Sequence, residues 1–155
     1  LIDFSNDWDS QLAKQNQQFE SSKFNFILCL NTIHNTYTNF NYFCKKITSL
    51  ANKQCKIFIT FLNRTRLNFI FNKTKRINND IDWVNIISDN QIKYYYSNIH
   101  IEPIIEYTFK DSEITQMFNK YNWTVIKHNM IDIDYKNDSN WIKYLKCFDT
   151  LVFSF

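Results

Sequence analysis

The stretch FNFILCLNTIHNTY, residues 24–37, carries the clearest fold signal in this 155-residue chain. Its apolar run, residues 26–30, stops abruptly at polar residues, and His34 follows within one turn's length. A short apolar run bounded by turn formers is typical of a buried central strand in a parallel sheet. Open α/β sheets bind ligands at the carboxyl ends of such strands. Residues 31–37 are therefore the first candidate site.

The next segment predicts a helix followed by a second strand. Apolar side chains recur every three or four positions at Phe40, Phe43, Ile47 and Leu50, which is typical of an amphipathic helix. Residues 55–62 are again continuously apolar, which predicts a strand buried on both faces. Strand, helix and strand in this order predict a right-handed parallel crossover, and hence an α/β fold.

The rest of the chain predicts shorter elements within one domain. A helix is expected to be capped by Asp111 or Ser112, with Glu113 supporting its first turn. The other expectations are a strand end at residues 1–4, a Gln-rich helix at 8–19, a short helix around Leu67, a surface loop at 72–82, extended segments at 83–87, 92–101 and 104–109, a strand at 123–129, a short helix at 141–145 and a last strand at 148–155.

The chain contains no glycine, although average usage of about 7% would give roughly eleven. No glycine-rich phosphate-binding loop can therefore form from these residues. Positions that need a positive φ should fall to asparagine, which tolerates the left-handed region best after glycine. The candidates are Asn52, Asn63, Asn72, Asn78 and Asn79.

Charge and cysteine usage exclude several classes of protein. The net charge of +3 is compatible with an anionic partner without requiring one. Cys29, Cys44, Cys55 and Cys147 have no CxxC spacing, which favours buried free thiols over a metal site or disulfides. Because no apolar run approaches membrane-spanning length and no signal peptide begins the chain, we expect a soluble intracellular protein of the cytoplasm or nucleus, with no membrane partner.

Four blocks carry a family resemblance: CLNTIHNTY (29–37), QCKIFITF (54–61), Glu106-Tyr107 and FDTLVF (148–153). In order and spacing they resemble the messenger-RNA cap guanine-N7 methyltransferases, especially those of large-DNA-virus capping enzymes. The chain departs from the family at Leu30 and Asn31, where the family has glutamine and phenylalanine. It also departs at Asn35 and Phe148, where the family has tyrosine, and at residues 53–54, where it has a glycine pair.

The resemblance implies a partial Rossmann-like, class I S-adenosylmethionine-dependent methyltransferase sheet, from its third strand onward. The glycine-rich strand-turn-helix at the family's N-terminus is missing. Strands at 123–129 and 148–155 would form a C-terminal antiparallel hairpin, with the last strand inserted between earlier ones. Residues 1–155 would then be the C-terminal portion of a single methyltransferase domain.

The implied reaction is transfer of a methyl group from S-adenosylmethionine to N7 of the guanine in 5′-capped RNA. Guanine N7 has an available lone pair, so the reaction needs positioning rather than an acid–base residue or a metal. The resemblance places His34, Tyr37, Glu106 and Phe148 at the cap guanine. It places Asp3 and Leu30 at the cofactor. Other capping-enzyme domains or a stimulatory subunit are the further partners it implies.

Each of these residues also has a plainer interpretation. A lone histidine at a strand end is more often a structural cap than a ligand, and a strand glutamate is more often in solvent. Arg64, Arg66, the Lys45-Lys46 pair and the run at 73–76 could meet RNA phosphates, yet charge runs are usually solvated faces. His100 and His128 receive no role. Two other functions remain open, a non-catalytic methyltransferase-like module supporting a capping enzyme and a methyltransferase for another nucleobase.

Overall fold

A computed structural model describes residues 23–70, 76–78, 83–95, 102–129 and 144–155. The main sheet has four strands, β1 (Phe24–Leu30), β2 (Ala51–Leu62), β7 (Thr124–Asn129) and β8 (Phe148–Ser154), in the order β1-β2-β8-β7. Strands β1 and β2 are parallel, and β8 lies antiparallel to both β2 and β7. The predicted parallel crossover and the C-terminal hairpin with an inserted last strand are therefore confirmed.

The crossover from β1 to β2 runs through a 3₁₀ segment, Ile33–Asn39, and helix α1, Phe40–Leu50. The apolar stripe predicted from sequence is the buried face of α1, where Phe43 and Ile47 enter the core. Strand β2 begins directly at Ala51, four residues earlier than predicted. Ala51 is buried and pairs with Phe24, and after an irregularity in the register Lys56 pairs with Phe26, so the strand extends on the N-terminal side of the apolar run.

The core of the main sheet lies between its inner face and helices α1 and α3 (Asp111–Asn119). Ile57 and Ile59 of β2 and Phe153 of β8 are buried there. The ring of Phe118 stacks on Phe153 with a centroid distance of 4.7 Å. Helix α3 begins at Asp111 with Lys110 as its N-cap, one residue earlier than a cap at Asp111 would require, so the predicted cap at Asp111 or Ser112 was wrong. The Glu113 carboxylate accepts the Lys110 backbone N–H at 2.9 Å. The predicted first-turn role of Glu113 is confirmed.

Positive φ angles occur at Asn31 (51°) and Asn122 (67°) among the described residues. The prediction was therefore wrong for Asn52 and Asn63, which use their side chains instead. Asn63 Oδ1 accepts the backbone N–H groups of Thr65 and Arg66 at the start of helix α2, Arg64–Ile70. Asn52 Oδ1 accepts the N–H of Gln54 in a local turn. Asn78 lies in a strand, and Asn72 and Asn79 fall outside the described residues.

A second, antiparallel sheet follows α2, and the sequence did not predict it. Its strands, in the order β3-β4-β5-β6, are Arg76–Asn78, Trp83–Ser88, Gln91–Tyr95 and Ile104–Tyr107. The surface loop predicted at 72–82 is thus wrong for Arg76–Asn78, because pairing with β4 makes that polar segment a strand. A small core of Leu62, Leu67, Val84, Ile92, Tyr94, Tyr144 and Cys147 joins this sheet to the end of β2.

Strand β1 does not have the buried central position that its apolar run predicted. Among the described residues it pairs with β2 alone. Phe26, Leu28 and Leu30 are 50%, 57% and 56% exposed. The prediction is wrong for the part of the chain that the structure describes, because no described strand or helix covers the side of β1 that faces away from α1.

The four cysteines are free and buried, as predicted. Burial raises the pKa of Cys29 and of Cys147 to about 12, and it raises the pKa values of Cys44 and Cys55 as well. Within the described ranges, no helix is long and apolar enough to cross a membrane. The predictions for residues 1–4 and 8–19, and for residues 96–101 and 141–143, lie outside the described residues.

Candidate functional site

The structure brings together two residues predicted for the cap guanine, His34 and Glu106. His34 lies in the 3₁₀ segment that follows the carboxyl end of β1, and Glu106 lies in β6 of the second sheet. His34 Nε2 is 3.4 Å from Glu106 Oε1, and their side chains are 19% and 13% exposed. The pair is therefore sheltered but still reachable from solvent. It lies at the edge of the sheet where α/β folds bind ligands.

Tyr94 of β5 is a third member of this cluster, and sequence analysis missed it. Its hydroxyl donates to Glu106 Oε1 at 2.5 Å. The antiparallel register pairs Ile92 with Glu106 and Tyr94 with Ile104, which sets Tyr94 diagonally beside the carboxylate. Two groups thus share one carboxylate oxygen and hold the side chain in a single orientation. In the sequence, Tyr94 is marked only as part of an aromatic triplet, residues 94–96, and the sequence does not show which strand pairs with it.

Tyr37 lies beside β6, and its ring packs against other aromatic rings of the protein. The ring stacks on Tyr107 with a centroid distance of 4.5 Å and an interplanar angle of 3°. It also meets Phe109 at 5.2 Å in a tilted contact. Because one ring face is taken by Tyr107, Tyr37 fixes the 3₁₀ segment against β6. Its stacking on a purine stays a prediction.

Phe148 begins β8 and is half-buried at the edge of the small core that also contains Tyr94. Its ring lies edge-on to Tyr144, with a centroid distance of 5.5 Å. Phe148 and the Glu106 cluster are therefore connected through one packed core. The role predicted for Phe148 at the cap guanine is not tested by these contacts.

The cofactor predictions rest on Leu30 and Asp3. Leu30 ends β1 with an exposed side chain, and Asp3 falls outside the described residues. The chain turns sharply after Leu30, since Asn31 is left-handed and its N–H donates to Thr60 Oγ1 at 2.7 Å. For S-adenosylmethionine, the described part of the chain offers one apolar contact here and, lacking glycine, no tight cofactor turn. These residues by themselves do not complete such a site.

Arg64 and Arg66, considered for RNA phosphates, are engaged inside the protein. Arg64 forms a bidentate pair with Glu113, at 2.9 and 3.1 Å, which ties α2 to the first turn of α3. Arg66 Nε lies 3.4 Å from the fully buried carboxylate of Asp149. Both arginine side chains are buried, so they neither form a solvated face nor lie open to RNA phosphates.

The carboxylate of Asp149 contacts three side chains that come from different parts of the chain. Besides Arg66, Asn63 Nδ2 donates to Oδ2 at 3.1 Å and His128 Nε2 lies 2.8 Å from the same oxygen. Leaving such a carboxylate without its partners would strongly destabilise the fold. This network joins β2, α2, β7 and β8. The described residues contain no group of three or more His, Cys, Asp or Glu side chains suited to a metal ion.

Comparison with known proteins finds matches to the fold and not to the sequence. No protein-family model and no curated protein matches the sequence. Solved structures do match. The first is a Listeria monocytogenes protein assigned to the S-adenosylmethionine-dependent methyltransferases, with a TM-score of 0.58, 11% identity, and coverage of 88% of this chain and 63% of that one. An S-adenosylmethionine-dependent methyltransferase from Clostridium acetobutylicum matches with a TM-score of 0.54 and 11% identity, over 86% of this chain and 59% of that one. The CcbJ methyltransferase from Streptomyces caelestis matches with a TM-score of 0.57 and 9% identity, over 86% of this chain and 57% of that one.

These likenesses show a class I methyltransferase fold, as predicted from the resemblance. The chain spans about three fifths of the length of the structures it matches. At identities near 10% they carry no information about the substrate.

Proposed function

We propose that the chain is the C-terminal portion of a methyltransferase domain that transfers a methyl group from S-adenosylmethionine to N7 of the guanine in 5′-capped RNA. The observation that carries this proposal is the cluster of His34, Tyr94 and Glu106 at the carboxyl edge of a methyltransferase sheet. The fold of the structural neighbours supports the reaction class. The cluster and the family resemblance support the substrate.

A sheltered carboxylate suits guanine better than the other bases. Guanine presents two neighbouring donors, N1–H and the N2 amine, on its pairing edge, and a carboxylate with two oxygens can accept from both. Adenine has an acceptor at N1, so the same carboxylate would meet it unfavourably. Among the described residues, Tyr94 and His34 both approach Glu106 Oε1 and none donates to Oε2, and the Tyr94 hydrogen bond fixes the direction of both oxygens. Proteins commonly read unpaired bases through such edge contacts.

The roles of the chain's own residues in this proposal are to bind and orient the guanine. S-adenosylmethionine, when bound, supplies an electrophilic methyl group. The nucleophile N7 needs no deprotonation, so His34 and Glu106 act by holding the base in line rather than by moving a proton. Because the described residues do not complete a cofactor site, catalysis requires the part of the fold that the chain does not span.

A second candidate function is a non-catalytic methyltransferase-like module that supports a capping enzyme. The absence of glycine and the departures from the family at Leu30, Asn31 and Asn35 favour it. Capped RNA, further capping-enzyme domains and a stimulatory subunit are the partners that the two candidates share. Cofactor binding by the longer polypeptide separates them, because only the enzyme needs it.

The test uses a polypeptide extended upstream of Leu1 and the Glu106→Gln variant. We expect a loss of affinity for the cap dinucleotide GpppG of about five- to 150-fold, because an unpaired buried polar contact costs about 1–3 kcal/mol. Affinity for S-adenosylmethionine should stay unchanged. Both are measured by isothermal titration.

Glu102→Gln is the matched control, since Glu102 is exposed and lies four residues away in the chain. It should leave both affinities unchanged. Unaltered GpppG binding in Glu106→Gln would contradict the proposed role of the carboxylate, and so would binding of ApppA as tight as that of GpppG.

A further inference from the structure

The second sheet has two unlike faces, which strand β5 shows most clearly. Its side chains at Ile92 and Tyr94 are 0% and 7% exposed and belong to the small core. The intervening Gln91, Lys93 and Tyr95 are only partly buried. This alternation is expected of an antiparallel strand that packs one face on a core and turns the other towards solvent. We call the face that carries Lys93 the outer face of the second sheet.

The strand register shows what else lies on this outer face. Lys93 is paired with Asn85 of β4 on one side and with Ile105 of β6, which is 52% exposed, on the other. Gln91 is paired with Tyr107 of β6 in the next row. The outer face therefore combines an ammonium group, amides, an apolar side chain and aromatic rings.

The outer face carries positive charge without negative charge in these strands. Glu106 is the one acidic residue in the described strands β4, β5 and β6, and its pairing with Ile92 places it on the opposite, inner face. Among the described residues, no carboxylate forms an ion pair with Lys93. The ammonium group of Lys93 is therefore available to an anionic ligand.

Tyr107 connects the outer face with the candidate site. Glu106 and Tyr107 are consecutive in β6, so they point to opposite faces of the strand. One side of the Tyr107 ring is stacked on Tyr37 at 4.5 Å, and no other ring of the described residues contacts it. The outer face thus begins one residue away from the carboxylate proposed for the guanine.

Single-stranded RNA has the chemistry that matches this face. Its bases stack on aromatic rings and its phosphates bind cationic side chains. Neighbouring strands lie about 4.8 Å apart, so β4, β5 and β6 together span about 10 Å. Sheet faces of RNA-binding modules stack two or three bases on their aromatic residues. A face that is merely solvated would need neither aromatic rings on two adjacent strands nor the exclusion of carboxylates.

We propose that the outer face of the second sheet binds the single-stranded RNA that follows the cap guanine, with Lys93 against a phosphate and with Tyr95 and Tyr107 against bases. Binding is independent of base sequence, because every nucleotide offers a phosphate and a ring face. This inference rests on the proposed function in taking RNA as the ligand. It deepens that proposal by assigning the surface that binds the RNA beyond the guanine.

The experiment measures the binding of three ligands to the 155-residue chain by fluorescence anisotropy and isothermal titration. The ligands are GpppG, a ten-nucleotide RNA with an unmethylated guanine cap, and the same RNA without a cap. The capped RNA should bind at least tenfold more tightly than GpppG. Lys93→Glu should weaken binding of both RNAs about tenfold and leave GpppG binding unchanged, because a carboxylate would then face the phosphate.

Two further variants control for charge and for folding. Lys56→Glu makes the same change at an exposed lysine of β2 in the main sheet and should alter RNA binding less than twofold. Lys93→Arg keeps the positive charge and should keep the affinity. Lys93→Gln removes one phosphate contact and should make the dependence of log K on log salt shallower by about 0.7. Urea unfolding of each variant shows that it folds.

Several results would overturn the inference. They are absence of RNA binding, equal effects of Lys93→Glu and Lys56→Glu, or an unchanged salt dependence in Lys93→Gln. RNA binding that does not respond to Lys93→Glu would also overturn it and would leave the face to a protein partner. Binding of the uncapped RNA that depends on Lys93, without GpppG binding, would keep the RNA surface and remove the cap assignment. GpppG binding without any contribution from the RNA tail would do the reverse.

Discussion

At the scale of single residues, the candidate site depends on Glu106 and on what shelters it. Its sequence neighbours Ile104 and Ile105 are apolar, but they do not shelter the carboxylate, because both are exposed. The shelter comes from His34 and Tyr94, which approach from another segment and from the next strand. The carboxylate is therefore partly buried by residues that are distant from it in the chain. Contacts across a sheet cannot be deduced from the residues that flank a position in the chain.

The buried thiols give a prediction about pH. The folded-state pKa of Cys29 and of Cys147 is raised by burial from 9.0 to about 12, so the folded state favours the protonated thiols. Their contribution to stability is therefore complete below pH 9 and is lost as the pH rises towards 12. We expect the urea midpoint to fall progressively between pH 9 and pH 11.

The matched variant for this prediction is Cys29→Ala with Cys147→Ala, measured over the same pH range. Its midpoint should fall less steeply, although the cavities lower its stability at every pH. Identical slopes for the two proteins would show that other groups cause the alkaline loss.

At the scale of elements, helix α3 ends in a left-handed residue that is not glycine. The Trp123 N–H bonds to the Phe118 carbonyl at 3.2 Å and the Asn122 N–H to that of Asn119 at 3.1 Å. The Trp123 and Phe118 rings meet edge to face at 5.9 Å. This is the Schellman arrangement, with Asn122 at the left-handed position.

Asn122→Gly should therefore stabilise the protein by up to about 1 kcal/mol, because glycine enters the left-handed region without the Cβ penalty. Asn119→Gly, at the last residue of α3, should instead destabilise it slightly, by about 0.3 kcal/mol, because glycine has a lower helix propensity than asparagine. Urea unfolding of the two variants and the parent checks both signs. A loss of stability in Asn122→Gly would mean that the asparagine side chain makes a contact worth more than the backbone strain.

At the scale of the whole molecule, the main sheet supplies one half of the candidate site and the second sheet supplies the other. His34 follows β1, whereas Glu106 and Tyr94 belong to the antiparallel sheet. The two sheets are connected at Phe109, whose N–H donates to the Leu62 carbonyl and whose carbonyl accepts the N–H of Arg64. The candidate site for the substrate therefore depends on both sheets of the chain.

We accordingly expect the 155-residue chain alone not to bind S-adenosylmethionine tightly. Leu30 offers one exposed apolar contact, and no glycine turn is available for the methionine half of the cofactor. Isothermal titration should give no dissociation constant in the micromolar range, which corresponds to about −8 kcal/mol. A micromolar value would mean that the cofactor site is complete within these residues and that the chain is not a portion of a larger domain.

The sequence by itself determined the elements whose signal is local or periodic. The apolar runs of β1 and β2, the stripe of α1 and the first turn of α3 each depend on residues a few positions apart. The order of the main sheet came from a family resemblance, and His34 and Glu106 entered the candidate site in the same way. Only the tertiary structure decided that β1 has an exposed face, that a second sheet exists, and that Tyr94 and His34 meet at one carboxylate oxygen. Those features depend on strand register and on which surfaces find a partner, and both are set by contacts between residues far apart in the chain.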